Sequence, residues 1–106
     1  MIDKEDYQSF VWVRDNVGGN YDRAILDPWK AAAFTAITEK YVYTWIHGAK
    51  ENKDEEAYKF LRGGSTDTEF LRENSISIVY TEWNVNNPNL TEVRENVYLL
   101  KEAGTQ

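Results

Sequence analysis

No cysteine occurs among the 106 residues, which excludes thiolate catalysis, disulfides and cysteine-type zinc sites from the outset. The redox compartment stays open, since a chain without cysteine fits either side of a membrane. Basic residues are in the minority and scattered, twelve Lys and Arg against eighteen Asp and Glu. Gripping a phosphate backbone needs them clustered, so nucleic acid is excluded as a partner and an anionic membrane surface is disfavoured. A net charge of −6 serves mainly solubility. No apolar run approaches the ~20 residues that span a bilayer. The charged start Met1-Ile2-Asp3-Lys4-Glu5-Asp6 lacks the basic–apolar–small pattern of a secretory signal. A soluble domain is expected, free or cut from something larger, with residues 1–106 forming a single α/β domain.

The six glycines sit in the wrong places for a phosphate cradle. The first strand–helix junction, Leu26-Asp27-Pro28-Trp29, has none; Pro28 removes an amide and Asp27 repels an anion. Gly18-Gly19 precedes a strand and Gly63-Gly64 separates two helices, so both pairs read as turns. Gly-x-Ser-x-Gly is absent, which leaves no serine in a nucleophile context. No cofactor is implied.

What the chain does have is three short β-branched or aromatic runs that each end in an ionisable residue. They are Ala24-Ile25-Leu26-Asp27, Tyr41-Val42-Tyr43-Thr44-Trp45-Ile46-His47 and Ile76-Ser77-Ile78-Val79-Tyr80-Thr81-Glu82. Helix-like segments separate them, and that alternation calls for a parallel sheet joined by helical crossovers. The expected fold is α/β: a small three-stranded parallel sheet with flanking helices in the order α-β-α-β-α-α-β-α, a Rossmann-like half. Residues 5–17 read as the first helix, with Tyr7, Phe10, Val11, Arg14 and Val17 along one face. Asp27-Pro28 starts the second, as cap and first-turn proline, with Trp29, Ala32, Ala33, Ala36 and Ile37 as its buried stripe. The run from Tyr41, apolar at nearly every position, is the expected central strand. A last helix is expected to turn Val93, Val97 and Leu100 inward.

Ligands of open α/β sheets gather at the carboxyl ends of the strands, so Asp27, His47 and Glu82 form the one rim that suggests a site. Two carboxylates and an imidazole suit proton transfer or a divalent metal with open water positions. Against that, Asp27 is fully explained as a helix cap and Glu82 as the first solvated residue beyond a strand. Most of the four Trp and seven Tyr are needed as core in so small a chain. Trp83 is the exception, since it follows a strand into a polar loop where a large ring is exposed enough to anchor an interface or stack on a sugar. Asn89-Leu90-Thr91 makes Asn89 a candidate N-glycosylation acceptor.

One pattern carries a resemblance. Trp12-Val13-Arg14-Asp15-Asn16 precedes a strand and Leu26-Asp27-Pro28-Trp29-Lys30-Ala31-Ala32. Then come Ala36-Ile37-Thr38-Glu39-Lys40-Tyr41-Val42, a Phe60-Leu61 helix end, and Glu69-Phe70-Leu71-Arg72-Glu73-Asn74-Ser75-Ile76-Ser77-Ile78-Val79-Tyr80. Over residues 12–80 this order resembles the extracytoplasmic C-terminal part of GT-C membrane glycosyltransferases, a group that includes oligosaccharyltransferase catalytic subunits and archaeal relatives. In those proteins the catalytic acids and metal lie between membrane helices, which this chain lacks. Their Trp-Trp-Asp-Tyr-Gly acceptor motif is missing too: Trp12 is followed by Val13-Arg14-Asp15 and Trp29 by Lys30-Ala31. The resemblance implies an accessory, non-catalytic role on the extracytoplasmic face, beside the transmembrane part of a parent protein. The domain is expected to pack on that membrane core or to assist glycan or acceptor-peptide binding through Trp83 and the rim, with acceptor recognition carried over to no residue. A small metal-assisted hydrolase using Asp27, His47 and Glu82 is the alternative. A receiver-like signalling domain fits least, because only Asp27 ends the first strand and the third ends in Thr81-Glu82.

Overall fold

The computed structural model describes residues 2–45 and 53–104. Helix α1 (Lys4–Asn16) starts with a reciprocal cap, in which each of Asp3 and Asp6 accepts the other's backbone amide. Strand β1 (Arg23–Ile25) leads through the Asp27 cap into α2 (Pro28–Thr38). Asp27 accepts from the Trp29 amide at 3.0 Å, as its position before a proline promises. Strand β2 (Tyr41–Val42) runs into a 3₁₀ turn (Tyr43–Trp45); α3 (Lys53–Arg62) and α4 (Thr68–Glu73) follow. Strand β3 (Ile78–Tyr80) and a hairpin of β4 (Leu90–Arg94) and β5 (Val97–Leu100) complete the sheet, with a 3₁₀ turn (Lys101–Gly104) behind it.

The fold is α/β, but its sheet has five strands and is mixed, in the order β2-β1-β3-β5-β4. Strands β2, β1 and β3 are the parallel trio; β5 joins β3 antiparallel, and β4 closes the edge. The strands alternate cleanly between two cores. Ala24, Leu26, Ile78, Tyr80 and Val97 face α1 and α2, packed on Phe10, Val13, Ala31 and Phe34. Ile25, Val79, Leu90 and Leu100 face α3 and α4, packed on Ala57, Phe60, Leu61 and Leu71. Each element covers one side of a two-sided sheet, which is how a short parallel trio is kept from water.

Four expectations are corrected. The run from Tyr41 is an edge strand of two residues rather than the central one; Tyr41 is 64% exposed, and Tyr43 is buried instead by α3, donating to Glu56 and meeting the Phe70 ring edge-on. Of this run's rings it is that of Tyr43 that serves helix packing. The expected last helix is the β4–β5 hairpin, closed over Glu95-Asn96 with Asn96 at φ 69°, a conformation Asn tolerates in tight turns. Helix α1 buries Asp6, Ser9, Phe10 and Val13, with Val17 buried at its C-cap, leaving Tyr7 and Arg14 outside. In α2 the buried stripe is Ala31, Phe34 and Thr38; Trp29, Ala32 and Ala36 are exposed.

Candidate functional site

Strand β1 lies between β2 and β3, so the chain leaves β1 toward one neighbour and returns on its other side at β3. Between the carboxyl ends of β1 and β3 is a switch point, where open α/β sheets leave a crevice. Here the crevice is lined by Asp27, Lys30, Leu61, Tyr80, Thr81, Glu82 and Trp83, about 130 Å³ in volume. Three of the residues singled out in the sequence, Asp27, Glu82 and Trp83, therefore share one hollow. His47 lies outside the described residues. Asn89 does not join them: β4 pairs Leu90 with Leu100, and β5 pairs Leu99 with Ile78, which puts Asn89 at the amino end of β3. It is exposed there, its side-chain amide donating to Thr68 Oγ1 at 3.2 Å.

Lys30 and Tyr80, which line the crevice, belong to a polar cluster that sequence reasoning missed. Asp6, only 3% exposed, accepts from Tyr80 Oη at 2.7 Å and from Lys30 Nζ at 3.1 Å, besides the Asp3 amide at 3.1 Å. One carboxylate thus ties α1, α2 and β3 together. Lys30 Nζ also lies 3.6 Å from Glu82, whose side chain is mostly in water. Burial alone would push the Asp6 carboxyl up; the Tyr80 hydroxyl, the Asp3 amide and the Lys30 ammonium outweigh it and hold the group below its ordinary value. Burial favours neutral Lys30, but Asp6, Glu82 and Asp27 outweigh it and raise its pKa. Burial and the Asp6 carboxylate both push the Tyr80 phenol up. All three shifts lead away from neutrality. None of these groups is poised to exchange a proton near pH 7, which is what general acid–base work requires.

The rim is built differently. Asp27 Oδ1 accepts from Tyr58 Oη at 2.9 Å, so α3 lends a side chain to the end of β1. The Arg62 guanidinium stands 5.2 Å from the centroid of Tyr58 and 5.8 Å from that of Trp83, within reach of both ring faces. Trp83 itself is 43% exposed, its amide donating to Thr81 Oγ1 at 3.0 Å. Trp29, at the same end of the sheet on the first turn of α2, is 78% exposed.

The loop after Trp83 is fastened to the turn after α3. The Asn86 amide donates to the Gly64 carbonyl at 2.8 Å, and buried Asn87 donates through Nδ2 to the Ser65 carbonyl at 2.9 Å and to Thr68 Oγ1 at 2.8 Å. Gly64 sits at φ +84°, where a side chain is strained, and a Cβ there would stand 3.2 Å from Asn86 Nδ2. That contact is with the free end of a side chain and yields easily, so the backbone strain decides. Gly64→Ala is expected to cost about 1–2 kcal/mol in urea unfolding and to shift the amide resonances of residues 84–87. Unchanged stability would show that the turn readily adopts another conformation.

Among the described residues, no group of three or more His, Asp or Glu is placed to hold a metal ion. No helix among them is long and apolar enough to cross a membrane. Comparison with known protein families, curated proteins and solved structures gives no match.

Proposed function

We propose that this chain is a non-catalytic accessory module of a membrane glycosyltransferase-like protein, holding a saccharide at the carboxyl-end rim with Trp83 as its platform. The observation that carries this reading is the state of Trp83. A large ring is left half in water on a loop that several hydrogen bonds keep in place, beside the switch-point crevice. An exposed aromatic on a fixed loop loses little freedom when it binds, so more of its contact energy is retained as affinity. Its electron-rich face suits the C–H face of a sugar ring. Asp27 and Glu82 on one side accept hydroxyl hydrogens. The inward-paired Asp6, Lys30 and Tyr80 support binding rather than turnover. Extracytoplasmic placement and the membrane partner rest on the resemblance over residues 12–80.

The test is a titration of the chain with neutral and acidic disaccharides, followed by ¹H–¹⁵N NMR at the four tryptophan indoles and by sugar analysis for turnover. Ligand is expected to move the Trp83 indole, with no bond cleaved, and Trp83→Ala to weaken binding at least tenfold, in keeping with loss of an anchoring aromatic. A silent Trp83 indole with every sugar, or hydrolysis of any, would overturn the proposal.

A further inference from the structure

The ring of Trp83 borders two hollows: the switch-point crevice on one side and, on the other, a groove of about 470 Å³ lined by Arg62, Gly63, Gly64, Trp83, Asn84 and Asn86. We propose that this groove takes the acidic sugar of a saccharide, a uronic acid whose ring lies against the Trp83 indole and whose carboxylate pairs with Arg62. The inference rests on the saccharide reading above and adds the class of sugar.

The charge pattern of the groove carries it. Arg62 is the one charged residue in a lining otherwise of glycine, tryptophan and asparagine. The guanidinium forms no ion pair among the described residues; those found there join Arg14, Lys30 and Arg72 to carboxylates. What holds Arg62 in place is ring faces, Tyr58 at 5.2 Å and Trp83 at 5.8 Å. A guanidinium stacked in this way keeps its N–H edge free, and that edge matches a carboxylate with two parallel hydrogen bonds. The side chains of Asn84 and Asn86 likewise hydrogen-bond to no other described group. Each amide offers a donor and an acceptor, the pairing that a sugar hydroxyl needs. Gly63 and Gly64 place no side chain in the groove, which leaves room beside the indole.

The same pattern argues against other anions. A phosphate carries close to two negative charges and is held elsewhere by several cations or by a helix N-terminus. This groove has one cation, at the C-terminal end of α3, in a chain of net charge −6. Across Trp83 lie Asp27 and Glu82, which repel a second negative charge and accept hydroxyls. A single carboxylate on the Arg62 side, followed by a neutral sugar on the Asp27 side, satisfies both halves.

The test uses the 106-residue chain and three probes: a glucuronosyl-glucose disaccharide, its neutral glucosyl-glucose counterpart, and a Glu-rich peptide. The uronate is expected to bind about fivefold tighter than the neutral sugar, the difference one partly exposed ion pair supplies. Salt should erase that margin. In Arg62→Gln the two sugars should bind equally, and dispersed amide resonances would show the variant folded. If both sugars bind at Trp83 equally, with or without Arg62, the acidic-sugar inference fails and the saccharide reading stands. If neither sugar moves the Trp83 indole, both fail. If the peptide engages Arg62 in preference to the uronate, the groove reads acidic protein segments and the inference is overturned.

Discussion

Asp6→Ala is expected to lower the unfolding free energy at pH 7 by about 3 kcal/mol, with a lower midpoint in urea at unchanged slope. Removing one partner of a buried ion pair costs roughly 3–5 kcal/mol, because the other charge is left without compensation. The lower end applies here. The Lys30 side chain is 18% exposed and has Glu82 at 3.6 Å as a second, weaker partner. The Tyr80 hydroxyl and the Asp3 amide lose their acceptor at the same time, and with it the reciprocal cap of α1. For a chain of this length the loss corresponds to a melting temperature lower by roughly 12 °C or more.

The pH dependence has a definite sign. Asp6 is held below its ordinary value in the folded chain, so its stabilisation is complete above the unfolded value of about 4 and is lost as pH falls through the folded one. Lys30 is shifted upward, so its contribution is complete below its unfolded value of about 10.4 and is lost only at higher pH, through the folded one. The gap between wild type and Asp6→Ala should therefore hold across the neutral range and close in acid, below about pH 4. A gap under about 1 kcal/mol at pH 7, or one as wide at pH 2 as at pH 7, would mean that the cluster is not an ion-paired tie.

Much of this architecture was legible because local chemistry and tertiary role agree. Asp27-Pro28 is a helix start by its own hydrogen bond, and Ala24-Ile25-Leu26 is apolar because both faces of the sheet are covered. Where one pattern serves two structures, the reading failed. Val93, Val97 and Leu100 fit a helical stripe, yet Val93 and Val97 are β-branched, Tyr98 is aromatic, and Asn96 between them tolerates the left-handed backbone of a tight turn. Asp6 was hidden for a different reason. As the third residue inside a capped helix it explains itself locally, and only the spacing Asp6, Phe10, Val13, Val17 places it on the inner face. Its partners are 24 and 74 residues away, so the cluster is a product of topology. Of the site, the sequence carried the strand-end rule that brings Asp27 and Glu82 together, and the exposed ring of Trp83. It carried no sign of Tyr58 or Arg62, which reach the rim from α3.

Phe10→Ala is expected to cost about 3–5 kcal/mol, as large an effect as any single substitution here, and to separate packing from charge. The ring is fully buried and meets Phe34 and Tyr80 edge-on, each at 5.1 Å between centroids. Removing it opens a cavity between α1, α2 and β3, the same three elements that Asp6 ties. No proton is linked to the lost contacts, so the deficit should be the same at pH 3 and pH 7, where that of Asp6→Ala should not. Phe10→Leu, which keeps most of the volume, should recover more than half of it. The groove at Trp83 stands on the turn after α3 and the loop after β3, fastened by Gly64, Ser65, Asn86 and Asn87. The fraction of Phe10→Ala that remains folded in the cold should therefore bind saccharide with wild-type affinity. A Kd that weakened in step with stability would mean that the platform depends on the packing of α1, and that the rim is less rigid than its hydrogen bonds imply.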